Sequence, residues 1–357
     1  MVNLGTAYRT HAEIHSDPKA LDLAISIHED ALTLLTPAAH PEWDTEVRQN
    51  CLARSLMARG GERDVELPDL SNLVKRLTNF PSGCGGFADI FMGEWSKTRR
   101  LKQKVAIKVL RQHGFSIEGN GVNDRVNKML RAGIRIWHAL DHPNIVKLLG
   151  TCRGFSPYAS MILPWFANGS LPSFLQKHKS LIYSERLRII REVAAGLAYL
   201  HSNAIIHGDL TGANVLISDD HSACLSDFGL SVLARDFDLP SMSCFTSGAG
   251  GSVRWTAPEL YAFSDGNDGA VQPRLTLQTD VYAFGCVALE IFSGEVPYCN
   301  VQNEMEVLLK YVVPGILPER PTKAVSDRHW NALKWCWATD SATRPSSKAL
   351  SALFEDV

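Results

Sequence analysis

Five short motifs stand in one order along the chain: SGCGGFADI at 82–90, VAIK at 105–108, HGDLTGAN at 207–214, SDFGL at 226–230 and APE at 257–259. Each alone has a bland explanation. A glycine-containing hairpin accounts for the first, a strand-end lysine at the surface for the second, and turn caps for the acids. Five chance matches in this order are improbable, so the series constrains the fold more than any of its members.

The residue types in these motifs agree on one chemistry. Gly83 and Gly85 let backbone N–H groups approach a phosphate with no Cβ in the way. Lys108 ends an apolar strand whose alternation turns it inward, where a charge needs a negative partner. Together they read as a cradle and a counter-charge for nucleotide phosphates. Asn214 and Asp227 offer hard oxygen ligands suited to Mg²⁺, which leaves Asp209 to accept a hydroxyl proton.

The stretches between the motifs give the architecture. Short β-type runs (DIFMGEW, KVAIKVL, IVKLLG, MILPWF) come first, and helices with long loops follow from about residue 170 onward. This predicts an α+β arrangement of two lobes, a small β-rich half and a larger helical half. Residues 1–65 read as all-helical. Asp17 is an N-cap followed by Pro18, and Ala20, Leu23, Ile27, Ala31 and Leu34 recur at three- and four-residue steps until Pro37 and Pro41. NLGTAY at 3–8 is echoed by NCLARSL at 50–56, an offset of about 48 residues. The echo resembles a tetratricopeptide-type helical repeat of the longer fungal kind; an ordinary helical hairpin fits as well. One such unit cannot bury both its faces, so it packs on the second domain, on a protein partner or on further repeats. The charged stretch 66–76 reads as the joint.

Bulk properties narrow the classes further. A chain of 357 residues, 45% hydrophobic, can bury one or two sizeable cores. A net charge of −2 argues against a general nucleic-acid or acidic-membrane binder. The eight cysteines are scattered without a C-x-x-C pair, which suits free thiols in a reducing compartment rather than disulfides or a zinc site. No stretch approaches the ~18 apolar residues of a membrane span, and the first residues lack a signal-peptide pattern. The expectation is a soluble, cytoplasmic protein without nucleic-acid or membrane partners.

Over residues 77–357 the chain resembles a eukaryotic protein kinase domain, with an N-lobe at 77–163, a hinge at 164–168 and a C-lobe at 169–357. The five motifs carry the resemblance together with GSVRWTAPEL (251–260), TDVYAFG (279–285) and WCWATDSATRP (335–345). RW before APE and CW before RP resemble the tyrosine-kinase-like Ser/Thr group, in forms common in fungi. The resemblance implies transfer of the γ-phosphoryl of ATP, with Mg²⁺, to Ser/Thr hydroxyls of a protein substrate. It implies Lys108 at the α/β-phosphates beneath the Gly83 and Gly85 turn, Asn214 and Asp227 on the metal, and Asp209 as catalytic base. Ile90 and Ala106 would lie above the adenine and Leu216 below it. Leu163 would be the gatekeeper, with the Pro164 carbonyl and the Phe166 amide and carbonyl at the adenine edge. A Glu259–Arg344 ion pair, a grip of Asp280 on the HGD turn, and a spine of His207, Phe228, Trp137 and Leu148 are implied as well.

Four positions depart from the family pattern. Ala88 stands for the third loop glycine, Gly208 for the arginine before the catalytic Asp, and Thr211 for a lysine that faces the γ-phosphate. The glutamate that pairs with Lys108 falls on Gly133, and Glu118 or Asp124 of the insertion before that helix is the nearest substitute in sequence. Two classes of function stay open on these residues: an active Ser/Thr kinase, and a pseudokinase serving as a nucleotide-binding or scaffolding module. A third makes the N-terminal helices a partner-binding arm.

Overall fold

Residues 88–96 and 102–110 each carry a run of β-type apolar residues, and in the computed structural model they pair as antiparallel strands. The structure describes residues 67–84, 88–98, 100–111, 133–156, 158–228, 253–261, 275–321 and 325–355. The expected helical segment 1–65, Gly85, Glu118 and Asp124 lie outside the described residues. The chain divides into two compact units. The first holds the residues up to Asp141, with Lys147–Trp165 and Asn203–Ile205; the second holds His142–Val146, Phe166–Ser202 and Ile206 onward.

The first unit is built on a six-stranded antiparallel sheet. Its strands are β1 (Val74–Arg76), β2 (Gly83–Cys84), β3 (Ala88–Ser96), β4 (Lys102–Leu110), β5 (Gly150–Cys152) and β6 (Ser160–Pro164). They run in the order β1-β3-β4-β6-β5, with β2 paired to β3 beside this path. Because side chains alternate along a strand, one face collects Phe91, Val105, Ile107 and Ile162, which pack with Leu70, Val74 and Cys152 into a core. The opposite face carries Ile90, Met92, Ala106, Lys108 and Leu163. A helix, α1, covers 133–139 and buries Ile134 and Trp137.

The second unit is mainly helical. It comprises α2 (Leu171–Lys177), α3 (Tyr183–Ser202), the hairpin β7 (Val215–Ile217) and β8 (Ala223–Leu225), α4 (Leu277–Ser293), α5 (Glu304–Val307), α6 (Asp327–Cys336) and α7 (Ser347–Leu353). Helix α4 forms the centre, since every residue from Thr279 to Phe292 is buried. A helix apolar on all sides must be enclosed, and here α3 and α6 pack against it while α7 packs on α3. Its ends are well defined. Thr276 accepts the N–H groups of Gln278 and Thr279 in a reciprocal capping box, and Gly294 closes the other end. Two acids, Asp280 and Glu290, are buried in this otherwise apolar helix. The result is the expected α+β fold, a small β-rich unit and a larger helical one. Among the described residues no helix is long and apolar enough to cross a membrane.

Candidate active site

On the sheet, strand register brings the expected residues together. Ile90 pairs with Lys108 and Lys108 with Met161, which makes one row across the strands. Met92, Ala106 and Leu163 make the next row, with Pro164 opposite Val105 at the sheet margin. Directly paired residues share a face, so Ile90, Ala106, Lys108 and Leu163 form one surface. Lys108 is only 5% exposed despite its charge. Gly83 pairs with Ile90, and a Cβ there would meet the Ile90 Cβ at 3.9 Å, an ordinary contact. The sheet itself therefore does not require glycine at 83.

In the helical unit the polar residues are organised around Asp280. Its carboxylate accepts the backbone N–H of His207 at 2.7 Å and of Gly208 at 2.9 Å, and it meets His201 Nε2 at 2.8 Å. These bonds fix the turn that presents Asp209. Gly208 has φ 76°, the left-handed region that glycine enters without a Cβ penalty. The glycine between His and Asp thus answers a backbone demand. His207 is fully buried, and burial pushes its pKa down, so it remains neutral; its ring packs edge-on against Phe228 at 6.2 Å.

The acid and amide of the loop touch each other. Asn214 Nδ2 donates to the Asp209 carbonyl at 2.7 Å and to Asp209 Oδ2 at 3.0 Å. The Asn214 carbonyl in turn accepts both the N–H and the hydroxyl of Ser226, at 2.9 and 3.0 Å. Ser226 precedes Asp227, so one chain of bonds gathers Asp209, Asn214 and Asp227. Asp227 has φ 62°, a conformation Asp tolerates better than most residues but still at a cost, and such strain concentrates at functional sites. Leu216 lies on β7, bridged to Ser170, and the Phe166 carbonyl accepts the Gly169 N–H at 3.1 Å.

The donor set fits a hard divalent cation. Described bonds use the Asn214 side-chain nitrogen, so its side-chain oxygen and the Asp227 carboxylate are the hard oxygens that could hold such a cation. No cluster of three or more His, Cys, Asp and Glu suited to a metal occurs among the described residues.

Residues 80–354 match the family model for protein tyrosine and serine/threonine kinases. The chain belongs to the protein kinase family. It is 28% identical over 264 residues to serine/threonine-protein kinase STY17 of Arabidopsis thaliana, covering 74% of this chain and 41% of that protein. It is 33% identical over 236 residues to the L-type lectin-domain containing receptor kinase I.8 of the same plant, covering 64% and 32%. Tyrosine-protein kinase csk-1 of Caenorhabditis elegans is 30% identical over 267 residues, covering 74% and 44%. The chain spans less than half the length of these three relatives. Protein kinases as a family use ATP and Mg²⁺.

Within this kinase domain, two further expectations meet direct geometry. Arg344 Nη1 and Nη2 bond the two Glu259 carboxylate oxygens at 2.6 and 2.9 Å, a two-pronged pair with the arginine side chain almost wholly buried. Asp280 holds the HGD turn as described. Gly133, where the family pattern would put the glutamate that pairs with Lys108, is the first described residue of α1 and has no side chain. Thr211 is buried, at 7% exposure.

Sequence reasoning quoted Arg254 and Ser226 only as members of motifs and gave neither them nor Glu290 a bonding role. Arg254 is buried and bonds Glu304 and the carbonyls of Pro297, Tyr298 and Val301. Glu290 accepts the Trp255 indole N–H at 3.2 Å, and burial raises its carboxyl to about 7. The available signal was a lone acid in the apolar run VYAFGCVALEIF.

Proposed function

We propose that this chain is an ATP-dependent protein kinase acting on Ser/Thr hydroxyls, of the tyrosine-kinase-like group. The Asp209–Asn214–Ser226 bond chain carries the reading, because it aims an acceptor carboxylate and two metal-ligating side chains from one loop cluster. Asp209, oriented by the Asn214 amide, takes the proton of the acceptor hydroxyl. Asn214 and Asp227 hold Mg²⁺, which when bound with ATP neutralises charge on the transferred phosphoryl group. Lys108 binds the α/β-phosphates, Gly83 and Gly85 cover them, and Ile90, Ala106 and Leu216 enclose the adenine. Pro164 and Phe166 serve its polar edge. Residues 1–65, read as a tetratricopeptide-like helical segment, supply a surface for a protein partner.

Ser/Thr specificity is supported by the RW and CW motif forms and by the relative named serine/threonine-protein kinase STY17, while others are named tyrosine-protein kinases. The test is transfer of labelled γ-phosphate from Mg·ATP to a generic protein acceptor, followed by phosphoamino-acid separation. Label on Ser and Thr, lost by roughly 10²–10⁴-fold in Asp209→Asn, is the expected result. Label on Tyr alone contradicts the specificity, and equal label with Asp209→Asn contradicts the mechanism. Gly133 favours a second reading, a pseudokinase that binds nucleotide and scaffolds partners. It predicts nucleotide binding without transfer.

A further inference from the structure

Positive charge is concentrated at one end of the sheet. The stretches 71–77 and 91–106 hold seven basic residues and one acid, Glu94, in a chain whose net charge is −2. Strand register gathers them. Lys75 pairs with Glu94 and Glu94 with Lys104, which makes a row across β1, β3 and β4. The next row outward holds Lys102 opposite Ser96, whose N–H donates to the Leu73 carbonyl at 2.8 Å. Glu94 offsets one cation of these rows, Lys102, at 2.7 Å.

The β3–β4 turn continues the pattern. The Thr98 hydroxyl accepts the N–H groups of Arg100 and Leu101 at 3.3 and 3.0 Å, which holds the turn in one shape. Lys97 lies over the Trp95 ring at 4.7 Å, and Trp95 packs on the core side of the sheet. Lys75 and Lys104 share the opposite face. Among the described residues, Lys75, Lys97, Arg100, Lys102 and Lys104 are all exposed, so cations surround this end of the hairpin. Between Arg100 and Lys102 stands Leu101, 56% exposed, and Leu73 on the neighbouring strand is 44% exposed.

This combination selects a kind of partner. Cations on both faces of a hairpin end, aimed at no common point, suit an extended anionic surface better than one compact anion. A turn that served solubility alone would have no use for a leucine between two cations. An element resting in the boundary of an anionic bilayer uses both, the cations at the headgroups and the leucine at the acyl chains. A purely acidic peptide would meet the charges and leave the leucines in water. We propose that the β3–β4 turn, with Lys75, Lys104 and Leu101, is a docking surface for an anionic lipid membrane, which holds the domain at the bilayer without crossing it. The whole-chain charge argues against a general binder of anionic surfaces, whereas this charge is local. The inference is independent of the kinase reading.

The experiment uses the full chain with vesicles of phosphatidylcholine alone, or mixed with phosphatidylserine at roughly 2:1, and reads binding by flotation. Binding to the mixed vesicles and not to the neutral ones is expected, falling as salt is raised. Each cation near such a surface is worth about fivefold in affinity. Lys75→Gln/Lys104→Gln should therefore weaken binding by about 25-fold, and Leu101→Ser by about tenfold. Lys75→Arg/Lys104→Arg keeps the charges and should bind as the natural chain does. All these side chains are exposed, so melting of each variant checks that the fold is intact. Equal binding to neutral vesicles, no binding to mixed ones, or undiminished binding by the Gln pair or by Leu101→Ser overturns the proposal. An Arg pair as weak as the Gln pair does so too. Capture of poly-glutamate without capture of vesicles overturns it in favour of an acidic protein partner.

Discussion

On the sheet, Ile90, Ala106 and Lys108 take their places from strand register, whereas the loop cluster of Asp209, Asn214 and Asp227 is held by individual bonds, some within the cluster and others from its turn to the distant Asp280. Register is a collective property. Nine consecutive residue pairs hold β3 to β4, so one substitution on the site face alters the surface and leaves the strands in place. The loop half concentrates its support. Two backbone N–H groups and a histidine converge on the single carboxylate of Asp280, 2% exposed, so one substitution there removes the support of the whole turn. A catalytic loop thus gains its placement from a helix that takes no part in the chemistry.

The largest effect expected from this contrast is at Asp280. Asp280→Ala leaves buried N–H groups without an acceptor and should cost about 3–5 kcal/mol in urea unfolding, with loss of phosphoryl transfer. A loss below about 1 kcal/mol would show that the turn is held by other means.

Glu290 gives the next effect, and it depends on pH. Burial raises its carboxyl from 4.5 to about 7, so the folded chain keeps a proton that the unfolded chain releases between those values. Stability contributed by this group is whole below pH 4.5 and is lost as pH rises towards 7. The span is on the order of 3 kcal/mol. Glu290→Gln should flatten that slope, matching the natural chain near pH 5 and exceeding it near pH 8. Parallel pH profiles for the two proteins would contradict it.

A smaller loss belongs to Gly208. Adding a Cβ at φ 76° in Gly208→Ala should cost about 1–2 kcal/mol by thermal melting. The sheet half supplies the smallest. Ala106→Phe should change the melting of the ligand-free protein by no more than about 0.5 kcal/mol, as for a substitution off the core. The same variant should abolish stabilisation by ATP, since the ring covers the face given to adenine. A large loss of intrinsic stability would place Ala106 in the core.

Much of the site was legible because its signals are local. Alternation in VAIK turned Lys108 inward, the family resemblance supplied Ile90 and Ala106, and the five-residue spacing of Asp209 and Asn214 is short enough for their side chains to meet. What stayed hidden was either backbone conformation or contact over long separations. Gly208 read as a missing arginine, and its positive φ became visible only in three dimensions. Glu290 lies 35 residues from Trp255, so no spacing rule joins them. The strain at Asp227 leaves no mark in composition, because Asp is at home in ordinary turns as well.

Binding of Mg·ATP tests the central claim most directly, since it requires the Asn214 and Asp227 loop cluster to act as one metal-nucleotide site. Melting is measured against ATP concentration with Mg²⁺ and with chelator, in the natural chain and in Asp227→Ala. The account predicts a stabilisation that grows with Mg·ATP as mass action requires, by about 2.7 kcal/mol at a hundredfold excess over Kd. The Mg²⁺-dependent part should vanish in Asp227→Ala. Identical melting curves with and without Mg·ATP up to millimolar concentration would contradict it.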